Sequence, residues 1–245
     1  MAFVLAEAIP LLDAGYVRFV EAWGHGDAGI AVDGFEADME AGIIEAARQS
    51  TQGSFRGWEE DVRLLAYLYK NKHNTPFEFA GMVLEVQAPI VSFREWQRHR
   101  TQWYNEMSAR YAPLPELVYV PTTERLLMGG GNLTTQAAGI PGAAQLTALT
   151  AQAARDKMIA HSMACHMLYQ ELLDAGVAKE IARGVLPLYQ YSRMRAGASL
   201  RNWLAFLTLR MDPKAMYEIR VYANAVGQII AKQFPKTWEL FGRGG

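Results

Sequence analysis

The sequence predicts a single-domain α+β fold with a helical C-terminal half. Three observations lead there. β-rich stretches with alternating apolar residues fall early, at 16–23 ("YVRFVEAW") and 79–89 ("FAGMVLEVQAP"). Helical patterns fill the second half. A chain of 245 residues that is 51% apolar can bury one sizeable core. The formal net charge of −1 excludes a dedicated nucleic-acid binder but leaves room for a local cationic pocket. A single cysteine forbids an intrachain disulfide and points to a reducing, cytoplasmic setting. No apolar run is long enough to span a bilayer, and "MAFVLAEAIP" lacks the basic start of a secretory signal.

Taken in order, 16–23 reads as a strand, and 35–50 and 58–72 read as amphipathic helices. Val62, Leu65 and Tyr69 share one face of the second. In the strand at 79–89, Met82, Leu84 and Val86 share a side. Pro89 then opens a helix over 89–100. Residues 112–146 hold four prolines and "MGGGN", which predicts a long loop or lid. Helices follow at 150–176, ended by Gly176, then at 177–185 and 199–210. Asp212 and Pro213 open the last one, whose buried stripe is Ile219, Ala223, Val226 and Ile230.

Several motifs compete for function. "GHGDAG" (24–29) matches the dinucleotide fingerprint, but Asp33-Gly34 breaks the helix it requires, so a plain turn is expected. His161 and Cys165 lie four apart on one helix; with no further ligand evident, a metal is not expected and a buried, inert thiol is. The arginines say more. Arg98, Arg100 and Arg110 crowd the stretch "RHRTQWYNEMSARY" (98–111), Arg183 lies among small apolar residues, and Arg210 ends an apolar helix. Guanidinium forks match phosphate oxygens. The competing reading is internal ion pairing with Glu95, Glu106 and Glu218. The loop "NKHNTPFEFAG" (71–81) offers His73, Asn74, Thr75 and Glu78 as donors and acceptors.

These segments resemble the flavin-dependent thymidylate synthases. The family signature is Arg-His-Arg, two variable residues, Ser, one variable, Asn, two variable, Ser, one variable, Arg-Tyr. Arg98, His99, Arg100, Asn105, Ser108, Arg110 and Tyr111 fall in place, and Trp103 stands for the first serine. "IIEAARQS", "HNTPFEF", "GVAKEIARGVLP", "FLTLR" and "YEIRVYANAV" agree with it. The resemblance implies one domain over residues 1–245, with a central, mostly antiparallel sheet flanked by helices, assembled as a homotetramer. It implies that dUMP becomes dTMP, with methylenetetrahydrofolate as carbon donor and FAD and NADPH as reductant. Uracil methylation of UMP and a non-catalytic nucleotide binder are the alternatives. No nucleic acid or membrane partner is implied. By position, dUMP would be held by Glu95, Trp96, Gln97, Arg98, Glu106, Met107, Ser108, Ala109, Arg110, Arg183 and Arg210. Arg210 would also polarise the uracil edge during catalysis. FAD would be contacted by Ser50, His73, Thr75, Arg98, His99, Arg100, Glu106, Ser199 and Arg201. Trp103 is expected to fill core space; the competing reading stacks its indole on a flavin or nucleotide ring.

Overall fold

A computed structural model describes residues 7–27, 38–51, 53–128 and 145–243. Its centre is a pair of nine-residue strands, β3 (Gly81–Pro89) and β5 (Tyr191–Ser199), hydrogen-bonded antiparallel along their whole length. β1 (Ala8–Leu11) and β2 (Gly15–Trp23) extend the sheet beyond β3, and β4 (Trp103–Glu106) closes the other side. The order is β1-β2-β3-β5-β4, antiparallel throughout. Side chains alternate between faces. Met82, Leu84, Val86 and Ala88 of β3 are fully buried, with Met194, Ala196 and Ala198 of β5 beside them. The opposite face carries Arg18, Glu85, Arg193 and Arg195, with Arg18 Nη2 3.1 Å from Glu85 Oε2 across the ladder.

Helices supply the rest of the core. α1 (Ala41–Arg48) buries Ile43 and Ile44, and α2 (Trp58–Lys70) buries Leu65 and Leu68. α3 (Ile90–Trp96) continues directly from β3, and α7 (Leu200–Arg210) directly from β5. α8 (Tyr217–Gln233) presents Ile219, Ala223, Val226 and Ile230, all fully buried, as its pattern predicts. Between these lie α4 (Thr123–Met128), α5 (Ala148–Asp174) and α6 (Lys179–Ala182), and α9 (Pro235–Arg243) follows α8. α5 starts on a capping box between Thr147 and Thr150 and stops before Gly176, whose φ of 83° suits glycine. α9 has a remote cap. The buried Glu40 carboxylate accepts from the backbone N–H groups of Lys236 (3.0 Å) and Thr237 (2.6 Å), donors that α9 itself leaves unused.

The structure corrects several expectations. β5 places a central strand inside the half expected to be all helix. β1 and β4 are further strands that the patterns did not reveal. Val62 is 45% exposed, because α2 turns Asp61 inward to pair with Arg48. α3 ends at Trp96, leaving 97–102 as a tight turn, and α4 interrupts the expected loop; residues 129–144 lie outside the described ones. Asp212 caps a turn, accepting from Lys214 N at 2.7 Å, and α8 begins at Tyr217. The 24–27 part of the glycine motif is a turn after β2, with Gly24 and Gly26 at positive φ; residues 28–37 lie outside the described ones, including the first part of the expected 35–50 helix.

Gly81 lies where a Cβ would strike both the Trp23 ring and the Ala198 carbonyl. The carbonyl is ladder backbone and cannot step aside. Gly81→Ala is therefore expected to lower stability by about 1–3 kcal/mol, read as a lower urea midpoint at unchanged slope.

Candidate active site

α7 carries Asn202, Phe206 and Arg210 four residues apart, on one helical face. That face runs along the segment leading from α3 through the following turn. Asn202 Nδ2 donates to the Thr101 carbonyl at 3.2 Å. The Phe206 ring packs on Trp96 (centroids 4.7 Å) and edge-on to His99 (5.0 Å). Arg210 Nε donates to His99 Nε2 at 3.0 Å, Nη1 to Glu95 Oε2 at 2.7 Å, and Nη2 to the Glu95 carbonyl at 2.8 Å. Because Arg210 always donates, His99 Nε2 is an acceptor and its ring is neutral. Burial, reinforced by the Arg210 charge and opposed by Glu95, holds this imidazole well below its ordinary value, at about 4.

The signature continues along β4. Gln97 Nε2 donates to Glu106 Oε2 at 3.2 Å, tying the turn to the end of the strand. Met107 N donates to the Arg193 carbonyl at 2.7 Å, and Ser108 Oγ accepts from Arg110 N at 3.3 Å. Lys179 Nζ donates to the Tyr111 carbonyl at 3.3 Å, bringing α6 and the neighbouring Arg183 to the end of the signature. The sequence did not single out Lys179 as a site residue, although it lies within the family-like stretch "GVAKEIARGVLP". Arg183 is exposed, its Nε donating to the Glu180 carbonyl at 3.3 Å. Arg98, Arg100 and Arg110 are exposed and, among the described residues, make no ion pair. Internal ion pairing thus accounts for Arg210 with Glu95, while Glu218 pairs with Arg125. It does not account for the signature arginines.

A second group gathers near the start of α7. Ser50, His73 and Thr75 line a pocket of about 430 Å³. Arg201, which pairs with Glu78, lines a cleft of about 760 Å³ with Lys70, Lys72, Asn74 and Arg243. Ser199 ends β5 with its hydroxyl buried and, among the described residues, without a partner. Trp96 is fully buried, its Nε1 donating to Gln102 Oε1 at 2.9 Å, and Ala109 is buried too. Two expectations change. Trp103 is 54% exposed rather than core; it lies over Gly197, its ring stacked on Trp23 at 6.0 Å. Cys165 is half-buried, with Sγ 3.4 Å from His161 Nε2.

The family model described as "Thymidylate synthase complementing protein" matches residues 35–236. A flavin-dependent thymidylate synthase of Thermotoga neapolitana is 34% identical over 233 residues, covering 95% of this chain and 93% of that protein. The chain belongs to the flavin-dependent thymidylate synthase family. A member from Thermus thermophilus is 35% identical, over 95% of this chain and 77% of its own. Among solved structures, a UMP/dUMP methylase, PolB, from Streptomyces cacaoi with bound 5-Br dUMP superimposes with a TM-score of 0.78 at 30% identity. That match covers 96% of this chain and 97% of PolB. The same enzyme with 5-Br UMP gives 0.74 at 31%. The mixed helix-and-sheet fold is therefore the family's fold.

The His99 geometry sets a pH dependence for this family member. Its folded value lies below the ordinary 6.5, so the stability gained from the neutral ring is complete above about 6.5 and lost as pH falls toward about 4. Melting temperatures of the wild type and His99→Gln should diverge over that window, with the variant flatter.

Proposed function

We propose that the protein methylates dUMP reductively to dTMP, with methylenetetrahydrofolate as carbon donor and NADPH as reductant through FAD. The observation that carries this reading is the signature segment itself: exposed arginines that make no ion pair among the described residues, beside a half-buried, fixed Arg210, in a member of this family. Arg98, Arg110 and Arg183 suit the phosphate of dUMP, with Ser108 as a further donor. Glu106 and the 95–97 backbone lie alongside.

The residues present fit a flavin dinucleotide. The buried hydroxyl of Ser199 has no hydrogen-bond partner among the described residues, and Arg201 lies two residues beyond it. Lys70, Lys72 and Arg243 give the adjacent cleft the positive charge a diphosphate requires. In our reading Arg98, Arg100, Glu106, Ser199 and Arg201 hold FAD, with Ser50, His73 and Thr75 on the neighbouring pocket wall. When bound, FAD supplies the two-electron redox step that the protein's side chains cannot perform.

The protein's own task is to make C5 of uracil nucleophilic. Electron density at C5 rises as negative charge develops on the ring carbonyl, and a donor held at that oxygen lowers the barrier. Arg210 is such a donor, and its position is fixed before substrate arrives. Cys165 lies within α5 and has no part in this scheme.

We also propose a homotetramer. α5 is 27 residues long, yet it buries only Ala151 and Tyr169 within the protomer. Leu149, Met163, Met167 and Leu168 are left exposed on it. No helix among the described residues is long and apolar enough to cross a membrane.

A second reading, methylation of UMP, is favoured by one observation: PolB, similar along nearly the whole chain, was solved with both 5-Br dUMP and 5-Br UMP. Parallel assays with dUMP and UMP decide between them. The FAD-loaded protein should oxidise NADPH faster in the presence of dUMP, and protein that stays colourless in excess FAD would overturn the flavoenzyme reading. Arg110→Ala and Arg183→Ala should each weaken dUMP binding about 10- to 100-fold in titration, the loss of one charge-assisted hydrogen bond.

A further inference from the structure

Arg210 differs from every other arginine of the signature region. A guanidinium carries five N–H donors. Three of them are taken: one by His99, one by the Glu95 carboxylate and one by the Glu95 carbonyl. Among the described residues, two remain for a ligand, both on the terminal nitrogens. Both holders come from one short stretch, the end of α3 and the turn after it. The His99 ring is itself wedged against Phe206, one turn before Arg210 on the same helix. The guanidinium therefore cannot swing, and the Glu95 carboxylate offsets its charge. A fixed, charge-compensated donor fork is poorly matched to a phosphate dianion and well matched to a neutral ring carbonyl. Arg98, Arg100 and Arg110 are the reverse: exposed and, among the described residues, without an ion-pair partner.

We propose that Glu95 and His99 are positioning residues that dedicate Arg210 to the pyrimidine base and withhold it from the phosphate. Their side chains act on Arg210 and need not touch the nucleotide or the flavin. This assignment rests on the nucleotide reading above and deepens it, since resemblance alone would make Glu95 a nucleotide contact and His99 a flavin contact. It explains why a carboxylate is tolerated beside a site for an anionic substrate: the Arg210 charge neutralises it.

The test uses the FAD-loaded protein and three variants. His99→Leu keeps approximate bulk and removes the acceptor. His99→Gln keeps an acceptor. Glu95→Gln keeps shape and removes the charge. Binding of dUMP and of deoxyribose 5-phosphate, which has the phosphate but no base, is titrated for each, along with FAD affinity, kcat and KM. His99→Leu, which removes an acceptor, and Glu95→Gln, which removes the ion-pair partner, should each weaken dUMP binding about 10- to 100-fold and lower kcat. Deoxyribose 5-phosphate and FAD should bind as in the wild type. His99→Gln should recover most of the loss, which a merely structural role would not produce. If His99→Leu does not fold, Glu95→Gln and the His99→Gln rescue decide. Equal losses for dUMP and deoxyribose 5-phosphate would overturn the assignment, because Arg210 would then serve the phosphate. So would a His99→Leu protein that loses FAD while binding dUMP normally. A wild type that binds no dUMP would instead overturn the nucleotide reading itself, a result distinct from either.

Discussion

Nine consecutive residue pairs, from Gly81 with Ser199 to Pro89 with Tyr191, join β3 to β5, and both strands run without a loop into helices. The strands are antiparallel, so α3 and α7 leave from opposite ends of the ladder. α7 then returns along the sheet, and its eleven residues bring Arg210 to Glu95. The register of this ladder sets the site. A slip of one residue would turn every side chain of one strand to the other face and move both helix starts. Trp203 reinforces the register, donating from its ring N–H to the Met82 carbonyl at 3.1 Å.

Charge is partitioned along the same construction. Where the chain is well packed, arginines are paired: Arg48 with the buried Asp61, Arg125 with the buried Glu218, Arg210 with Glu95. A buried cation without a counter-ion would be costly. Arg98, Arg100 and Arg110, which make no ion pair among the described residues, lie on the exposed turn and on the segment after β4, where water solvates them. A net charge near zero thus conceals a local excess, which composition alone does not reveal.

Local chemistry was readable where it is dictated locally. α5 is bounded by a threonine cap and Gly176, and α8 shows its stripe, because capping and periodicity act within a few residues. β5 escaped because its second half is Ala196, Gly197, Ala198 and Ser199, poor strand formers by any propensity. Those small residues answer to neighbours: Gly197 lies beneath the Trp103 indole, which a Cβ would displace. The same logic explains Trp103, whose exposure follows from its place on an edge strand. The signature marked Arg98 to Tyr111 as a site, but the pairing of Arg210 with Glu95 spans 115 residues and no local pattern encodes it. Lys179 near Tyr111 is hidden for the same reason.

The remote cap on α9 has a temporal consequence. Glu40 and Lys236 are separated by 196 positions, so α9 borrows its capping acceptor from a segment made far earlier. At about 5–20 residues per second of synthesis, roughly 10–40 s pass between the two. Throughout that interval the Glu40 carboxylate is without the two backbone donors that satisfy it in the folded protein. The cap closes on Glu40 only once residue 237 has been made, so its formation reports that nearly all of the fold is in hand.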